Sequence, residues 1–518
     1  MAKQSTLLRR ITGNAPHRFD DDRTNLGYSV DRRATAVVIG GGIAGVTAAL
    51  TLAERGMAVT LLERGHRLGG RLTTWPKRLR DGSSQVVEHG FHGFFRQYYN
   101  WRNILRRVDP ELAFLRPLGR YPVVSRQWPQ EDFTGLFGLP PVNLLSLLAR
   151  SPSLRWGDLR RMDGRAALPL LAFAREETYR RFDTMSAATF LDNLGLPERA
   201  RAMLFDVFAH SFFNHQAEMS AAEMIMQFHF YFLRNPEGLD MDAPDSDYET
   251  AIWSPLAERL SALGADVRTD SPVDHLEPGW KVCLVGGSRI AAEHVVLAVD
   301  PAAAREIVAA SPGVVRSSPQ FAARVAALRT AAPYAVARIW LNGDVAADRA
   351  PFTSVSGEAT LDSVTLYHRA QQESGRWAAR TGGSVLELHA YAAPTQTDAS
   401  TLADRMRTEL NAIWPETRSL AIVDSDHRVG HDAPAFDLGS DTTRPAVQTD
   451  MAGLYLAGDW VRMPFPCALM ERAASSGLVA ANAILGKHAA RPSPVLSVRP
   501  NGLLVGRGKR GAIQLNSA

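Results

Sequence analysis

Short apolar runs punctuated by glycine set the rhythm of the first hundred residues. Ala36-Val37-Val38-Ile39 has the composition of a buried strand, and Gly40-Gly41-Gly42 follows it at once. The pattern turns helical over residues 43–55, stops at Gly56 and resumes as a strand over 58–62. Residues 267–273, 294–299 and 453–458 read as further strands, the second ending in Asp300-Pro301, which starts a helix. Residues 333–341 and 384–391 predict strands of a second sheet, with a helix over 402–413 to cover it. A last helix is expected over 468–485. Strands that alternate with helices predict an α/β fold, and no internal repeat is visible.

The middle of the chain breaks this rhythm. Phe205, Phe208, Phe212 and Phe213 crowd residues 205–215, and 224–233 reads Met-Ile-Met-Gln-Phe-His-Phe-Tyr-Phe-Leu. A helix apolar on every face must be buried or face lipid. Methionines and aromatics suit a long, adaptable tunnel for an extended apolar molecule. Residues 139–150, Leu-Pro-Pro-Val-Asn-Leu-Leu-Ser-Leu-Leu-Ala-Arg, read either as a membrane-surface contact flanked by Arg150 and Arg155 or as an interdomain helix.

Composition adds exclusions. Apolar residues at 45% and charged residues at 22% are ordinary for a globular enzyme, and 518 residues suggest more than one domain. No run approaches a bilayer span and residues 1–33 lack the apolar centre of a signal peptide, which predicts a cytoplasmic protein at the inner face of the membrane. Cys283 and Cys467 stand alone, so no metal site is expected. The net charge of +4 comes largely from Lys487, Arg491, Arg499, Arg507, Lys509 and Arg510, in a tail without acids. That tail lacks aromatic interleaving, so no nucleic acid partner is expected.

The chemistry-bearing signal lies at the first turn. Gly40-Gly41-Gly42-Ile43-Ala44-Gly45 is G-x-G-x-x-G between a strand and a helix, the context of a dinucleotide fingerprint. Gly40 makes the turn, Gly42 admits a pyrophosphate, and Gly45 lets helix and strand pack closely. The N–H groups from Ile43 and Ala44 onward point with the helix dipole at the phosphates. Glu63 ends the second strand, 18 residues after Gly45, where its carboxylate can accept both ribose hydroxyls. Arg64 follows, then Gly69-Gly70, which bring the backbone close to the cofactor while Arg71 reaches a phosphate or a substrate-proximal position. A Rossmann-like dinucleotide-binding domain is therefore expected.

Longer segments carry a family resemblance. Glu88-His89-Gly90-Phe91-His92-Gly93-Phe94-Phe95-Arg96-Gln97-Tyr98-Tyr99-Asn100, Met219-Ser220-Ala221-Ala222-Glu223, Phe228-His229-Phe230-Tyr231-Phe232, Asn235-Pro236-Glu237-Gly238 and Ala468-Leu469-Met470-Glu471-Arg472-Ala473-Ala474 resemble the carotenoid desaturases, most of all the bacterial isorenieratene synthases. The similarity covers nearly everything from 33 to 485. It implies FAD as cofactor and an FAD-binding domain of the amine-oxidase type, discontinuous over 34–125, 255–310 and 445–485. An α+β substrate and membrane-contact domain over 126–254 and 311–444 would complete the fold, between flexible ends at 1–33 and 486–518. It further implies that Gly458 and Asp459 hold the ribityl–pyrophosphate portion and that Val273 touches the adenine. Ala468 and Met470 would then bring a helix N-terminus to the flavin, with Gly90 and Phe91 beside it. The acidic stretch 239–245 and the length of the tail depart from the family.

The resemblance implies hydride abstraction from a β-ionone ring, a methyl shift and proton loss, ending in an aromatic ring. His92 is then the first candidate for the base or ring-positioning group, followed by His89, Tyr98 and Glu88. His215 and His229 read as channel lining or satisfied core. The substrate is expected to be a carotenoid or another long apolar terpenoid, and the electron acceptor a quinone or oxygen. Two other readings stay open: a different terpenoid desaturase, isomerase or dehydroxylase, and a non-catalytic carotenoid-binding flavoprotein.

Overall fold

Thr35–Ile39 holds the centre of a five-stranded parallel sheet. The computed structural model describes residues 16–19, 25–30, 34–134, 142–235 and 239–505. The strand order is Asp266–Arg268, Ala58–Leu62, Thr35–Ile39, His294–Leu297, Leu454–Leu456, so segments from distant parts of the chain share one sheet. Parallel neighbours cannot be joined by a hairpin, and the helix Ile43–Ala53 makes the first crossover. All its residues are buried, since the sheet covers one side and the last helix, Leu469–Lys487, covers the other. Gly477 lets the two helices touch: a β-carbon there would lie 2.3 Å from the Ala44 carbonyl oxygen.

The second sheet has seven strands in the order Ile422–Gly430, Tyr334–Leu341, Ser384–Ala390, Ser363–Leu366, Phe352–Val355, Pro122–Val124, Glu131–Asp132. Its strands are antiparallel except where Pro122–Val124 runs parallel to Phe352–Val355. Period-two alternation divides its faces. Ala337, Ile339, Leu386 and Leu388 pack under the helix Ala399–Ile413 through Leu402, Met406 and Leu410. Arg338, Glu387 and His389 stand in the alternate positions of the same strands and take the opposite face.

Several expectations require correction. Residues 267–273 are not one strand: Asp266–Arg268 joins the parallel sheet, Asp270 turns the chain at φ 51, and Val273–Glu277 opens a separate three-stranded antiparallel sheet. Residues 122–124, assigned to the dinucleotide domain, belong to the second sheet because they pair with Phe352–Val355. The aromatic run at 205–215 is helical only through Val207–His210, after the wider i→i+5 turns of Arg201–Asp206. The helix Ala221–Phe228 widens in the same way at His229–Leu233.

The ends are pinned where they are described. His17–Arg18 pairs antiparallel with Leu496–Ser497, and Arg491 N donates to the Gly27 carbonyl. Arg234 binds the carbonyls of Asn501 and Gly502 at 2.8 and 3.1 Å. Residues 1–15, Leu139-Pro140-Pro141, Pro236-Glu237-Gly238 and the basic positions Arg507, Lys509 and Arg510 lie outside the described residues. The acids of 239–245 are answered by arginines: Asp240 by Arg96, Asp242 by Arg102 at 2.8 Å, and Asp245 by Arg116. Among the described residues, no helix is long and apolar enough to cross a membrane.

The last helix ties these parts together through two adjacent buried polar side chains. Glu471 accepts from Asn100 N at 2.9 Å, Asn100 Nδ2 at 2.7 Å and Trp101 N at 3.0 Å, which caps the helix Tyr99–Leu105. Asn100 in turn binds both backbone groups of Leu496. Arg472 pairs with Glu223, which also accepts from Tyr179 Oη at 2.7 Å and from Arg444 at 3.2 Å. Segments 88–100, 219–223 and 468–474 therefore meet at one helix turn.

Burial pushes the Glu471 carboxyl up to about 8, despite the N–H donors of Asn100 and Trp101. A carboxyl raised on folding contributes stability that is complete below its unfolded value, about 4.5, and is lost as pH rises through about 8. Thermal unfolding should therefore show Glu471→Gln gaining on the wild type by several degrees between pH 5 and pH 8. A pH-independent difference would mean that Glu471 stays ionised in the fold.

Candidate active site

One cavity of about 1210 Å³ runs from the glycine turn to the polar face of the second sheet. Its first half is shaped by glycine. Gly40 sits at φ 106, and a β-carbon there would lie 2.4 Å from the Ala298 carbonyl oxygen. A β-carbon at Gly45 would lie 1.8 Å from the Gly40 oxygen. A β-carbon at Gly42 would meet nothing nearer than the Gly69 oxygen at 4.0 Å, and the helix it precedes has no side-chain cap. Gly40, Gly42, Ile43 and Ala44 line the cavity; Gly45 does not, because it packs helix against turn.

Glu63 also lines this half, and its carboxylate accepts from Gly41 N and Gly65 N, both at 2.7 Å. Arg64 is largely exposed and faces Asp300 at 3.6 Å. Val273 lines the far end near Ala303 and Glu306. Gly70 and Arg71 line the centre, where Arg71 Nη2 meets Asp459 Oδ1 at 2.7 Å. Burial alone would lower the Arg71 pKa, but Asp459 and Asp432 outweigh it and hold the guanidinium above its ordinary value. Gly458, Asp459 and Met470 line the same stretch, while Ala468 is buried just behind it as the uncapped N-terminus of the last helix.

The second half holds the candidate bases. Gly90 and Phe91 line it together with His89 and His92. His92 Nδ1 lies 2.8 Å from the Gly90 carbonyl, and its backbone N–H donates to Tyr248 Oη at 3.0 Å. Burial lowers the His92 pKa to about 4, and the opposing hydrogen bond to the Gly90 carbonyl is too weak to restore it. His89 falls to about 4 for the same reason, with Asp432 at 3.9 Å across from it and Tyr334 Oη at 3.3 Å. Tyr98 closes the apolar end, its hydroxyl 2.7 Å from that of Tyr231. Glu88 is off the cavity wall: wholly buried, it lies 3.3 Å from Arg338 and accepts from Gln371 at 2.7 Å.

The two aromatic runs divide differently than expected. Phe208, Phe212 and Phe213 line the cavity, but of residues 224–233 only Tyr231 does. Phe230 is core, stacked beside Tyr98, and Phe205, Phe228 and Phe232 stack among themselves. His229 is core rather than channel lining, with Nε2 2.7 Å from the Arg499 carbonyl and Nδ1 buried without a partner, and His215 is exposed.

The sequence pattern missed a further polar group on the cavity wall. His389 Nε2 lies 2.7 Å from Glu387 Oε1, Glu387 Oε2 accepts from Arg338 at 2.7 Å, and Tyr391 Oη faces His389 Nδ1 at 3.3 Å. Glu387, His389 and Tyr391 at a spacing of two, inside an otherwise apolar strand, were the signal that could have found it.

The family model of flavin-containing amine oxidoreductases matches residues 43–485. The carotenoid phi-ring synthase of Streptomyces griseus is 43% identical over 91% of this chain and 91% of its own length. Its namesake from Chlorobaculum tepidum is 29% identical over 90% and 91%. In structure, reduced UDP-galactopyranose mutase matches with a TM-score of 0.63 at 14% identity, covering 89% of this chain and 97% of its own. Putrescine oxidase bound to putrescine matches with 0.61 at 16% identity, over 88% and 99%.

FAD is the cofactor, and the residues present fit it. The open space at Gly42 and two helix N-termini without side-chain caps offer backbone N–H groups to phosphate and flavin. Glu63→Ala should weaken FAD binding by about 1.5–3 kcal/mol, read by flavin fluorescence on titration, with a smaller change in the unfolding midpoint. Unchanged affinity would show that Glu63 serves only the turn. The matched segment takes in the second sheet, the rest of the first sheet after its central strand and most of the cavity wall, and the chain belongs to the flavin-containing amine oxidoreductase family as an FAD-dependent oxidoreductase.

Proposed function

We propose that the protein desaturates the β-ionone ring of a carotenoid with migration of a methyl group, giving an aromatic ring of the β-carotene-to-isorenieratene type. The observation that carries this reading is a single cavity that joins a dinucleotide cradle to an aromatic chamber. The names of the phi-ring synthases of Streptomyces griseus and Chlorobaculum tepidum support it.

Bound FAD supplies a hydride acceptor for an allylic carbon. In this reading Gly40, Gly42, Ile43 and Ala44 hold the pyrophosphate, Glu63 the ribose, and Val273 the adenine end. Gly70, Arg71, Gly458 and Asp459 hold the ribityl chain. Gly90, Phe91, Ala468 and Met470 frame the flavin. The chamber itself needs few polar groups, because a polyene delocalises the positive charge left by hydride loss. Aromatic faces at Phe212, Phe213 and Tyr231 stabilise that charge further. The Tyr98 and Tyr231 hydroxyls satisfy each other, so the closed end presents carbon and excludes water.

The same reading places the protein on a membrane surface. The helix Val142–Arg150 has no buried residue, and Leu145 and Trp156 are 53% and 56% exposed. Leu147 and Leu148 on that helix pack against a cluster that includes Phe208, a residue of the cavity wall. An apolar substrate would thus lie close behind the exposed face of this helix. Arg155, Arg160, Arg161 and Arg165 are exposed around this region and suit anionic headgroups.

Expression in cells that make β-carotene should yield pigments with aromatic end groups; unchanged pigments beside a flavin-loaded protein would overturn the reading. Phe212→Asp should lower that yield at least about a hundredfold with FAD retained, since an unpaired charge in the chamber is costly. Retained yield would put the substrate elsewhere. On vesicles of phosphatidylcholine and phosphatidylglycerol, Leu145→Asp with Trp156→Asp should lower co-sedimentation about tenfold. Equal sedimentation would remove this surface from the membrane contact.

A further inference from the structure

We propose that His389, held by Glu387, is the base that takes the ring proton in the aromatising step. The inference rests on the proposed ring desaturation and names the residue that completes it. Three histidines surround the inner chamber: His89, His92 and His389. A base there must accept a proton without water to solvate the imidazolium, so the partner of its second nitrogen decides the matter.

His92 has only the Gly90 carbonyl at that nitrogen, and Arg71 adds repulsion. His89 has Asp432 at 3.9 Å, and Tyr334 Oη already donates to that carboxylate at 2.8 Å. His389 has a carboxylate at 2.7 Å. Burial would raise the Glu387 pKa, but Arg338 and His389 outweigh it and keep the carboxylate charged. Arg338 is fixed in turn by Glu88 and by the Tyr367 ring, 3.6 Å from its centroid. Glu387 therefore accepts the Nε2 proton of His389 and leaves Nδ1 as the acceptor, facing the cavity-lining Tyr391 hydroxyl. Phe91 N also donates to Glu387 Oε1 at 2.6 Å, which locks the 89–92 loop to the same group. A β-carbon at Gly90 would lie 3.3 Å from His389 Cε1, so glycine there lets the loop lie against the imidazole.

In the step itself, a C–H bond at a ring carbon breaks and its electron pair becomes the new ring double bond. The proton passes to His389 Nδ1. The preceding hydride loss carries two electrons to the oxidant of the proposed reaction, FAD, so the ring loses one hydride and one proton for each double bond gained. Glu387 is a positioning residue that fixes the tautomer and balances the imidazolium.

The groups that face His389 are Glu387 and Tyr391 on its own strand, Arg338 on the neighbouring strand, Asp362 behind Tyr391, and His89 and His92 in the loop. With the full-length flavin-loaded enzyme and micellar β-carotene, His389→Gln should lower formation of aromatic product about a hundredfold, with FAD content and reduction of the flavin by substrate unchanged. Glu387→Gln should lower it less, through kcat rather than KM. Aromatic product within about threefold of wild type from FAD-loaded His389→Gln would overturn the proposal, as would a loss carried by KM alone. Loss of FAD by both variants would assign the pair to the support of the cofactor and overturn it too. A wild type that forms no aromatic product overturns the ring desaturation itself; a wild type that forms it while His389→Gln matches it overturns only the base.

Discussion

Two neighbouring side chains on the last helix, the Glu471 carboxyl and the Arg472 guanidinium, have almost no access to water. Neither tolerates burial without partners, and each draws its partners from a different part of the chain. Glu471 fixes the start of the helix Tyr99–Leu105 and, through Asn100, the C-terminal strand. Arg472 fixes Glu223 and with it the helix that leads into Tyr231. The first turn of this helix also forms a wall of the flavin cradle through Leu469, Met470 and Ala473. Satisfying these two buried groups thus assembles the cofactor end, the aromatic chamber and the chain terminus in one arrangement.

The second sheet contributes its chemistry by alternation. Its helix-covered face is aliphatic, while the opposite face places a fully buried cation between two carboxylates, Arg338 between Glu387 and Glu88. Replacing one member would strand the others in a medium that cannot solvate them. That rigidity suits a wall against which the 89–92 loop rests.

The local patterns of the first sheet were legible because glycine and chain period speak unambiguously there. Thr35–Ile39, Ile43–Ala53 and Ala58–Leu62 fall where the apolar run, the fingerprint and Gly56 put them. The split at Asp270 was not legible, since a left-handed aspartate leaves no trace in hydropathy. The histidines at 89 and 92 stood out beside glycine, whereas His389 was hidden in a strand whose residues looked like core. Its role depends on Arg338 from a neighbouring strand, and side chains paired across strands have no signature in one sequence. For the same reason Phe212 and Phe230, alike in composition, take opposite places: one lines the chamber and the other supports it.

The strand order of the parallel sheet has a consequence for biosynthesis. Thr35–Ile39 lies beside His294–Leu297, which lies beside Leu454–Leu456, and the glycine turn is covered by a helix that ends at Lys487. A nascent chain emerging from the ribosome therefore holds the phosphate-binding loop long before it holds the strands and helix that complete the cradle. Such non-local pairing is slow to form and leaves apolar edges waiting. Cofactor capture thus belongs to the end of synthesis, and chain completion sets the earliest moment at which the enzyme acquires its colour.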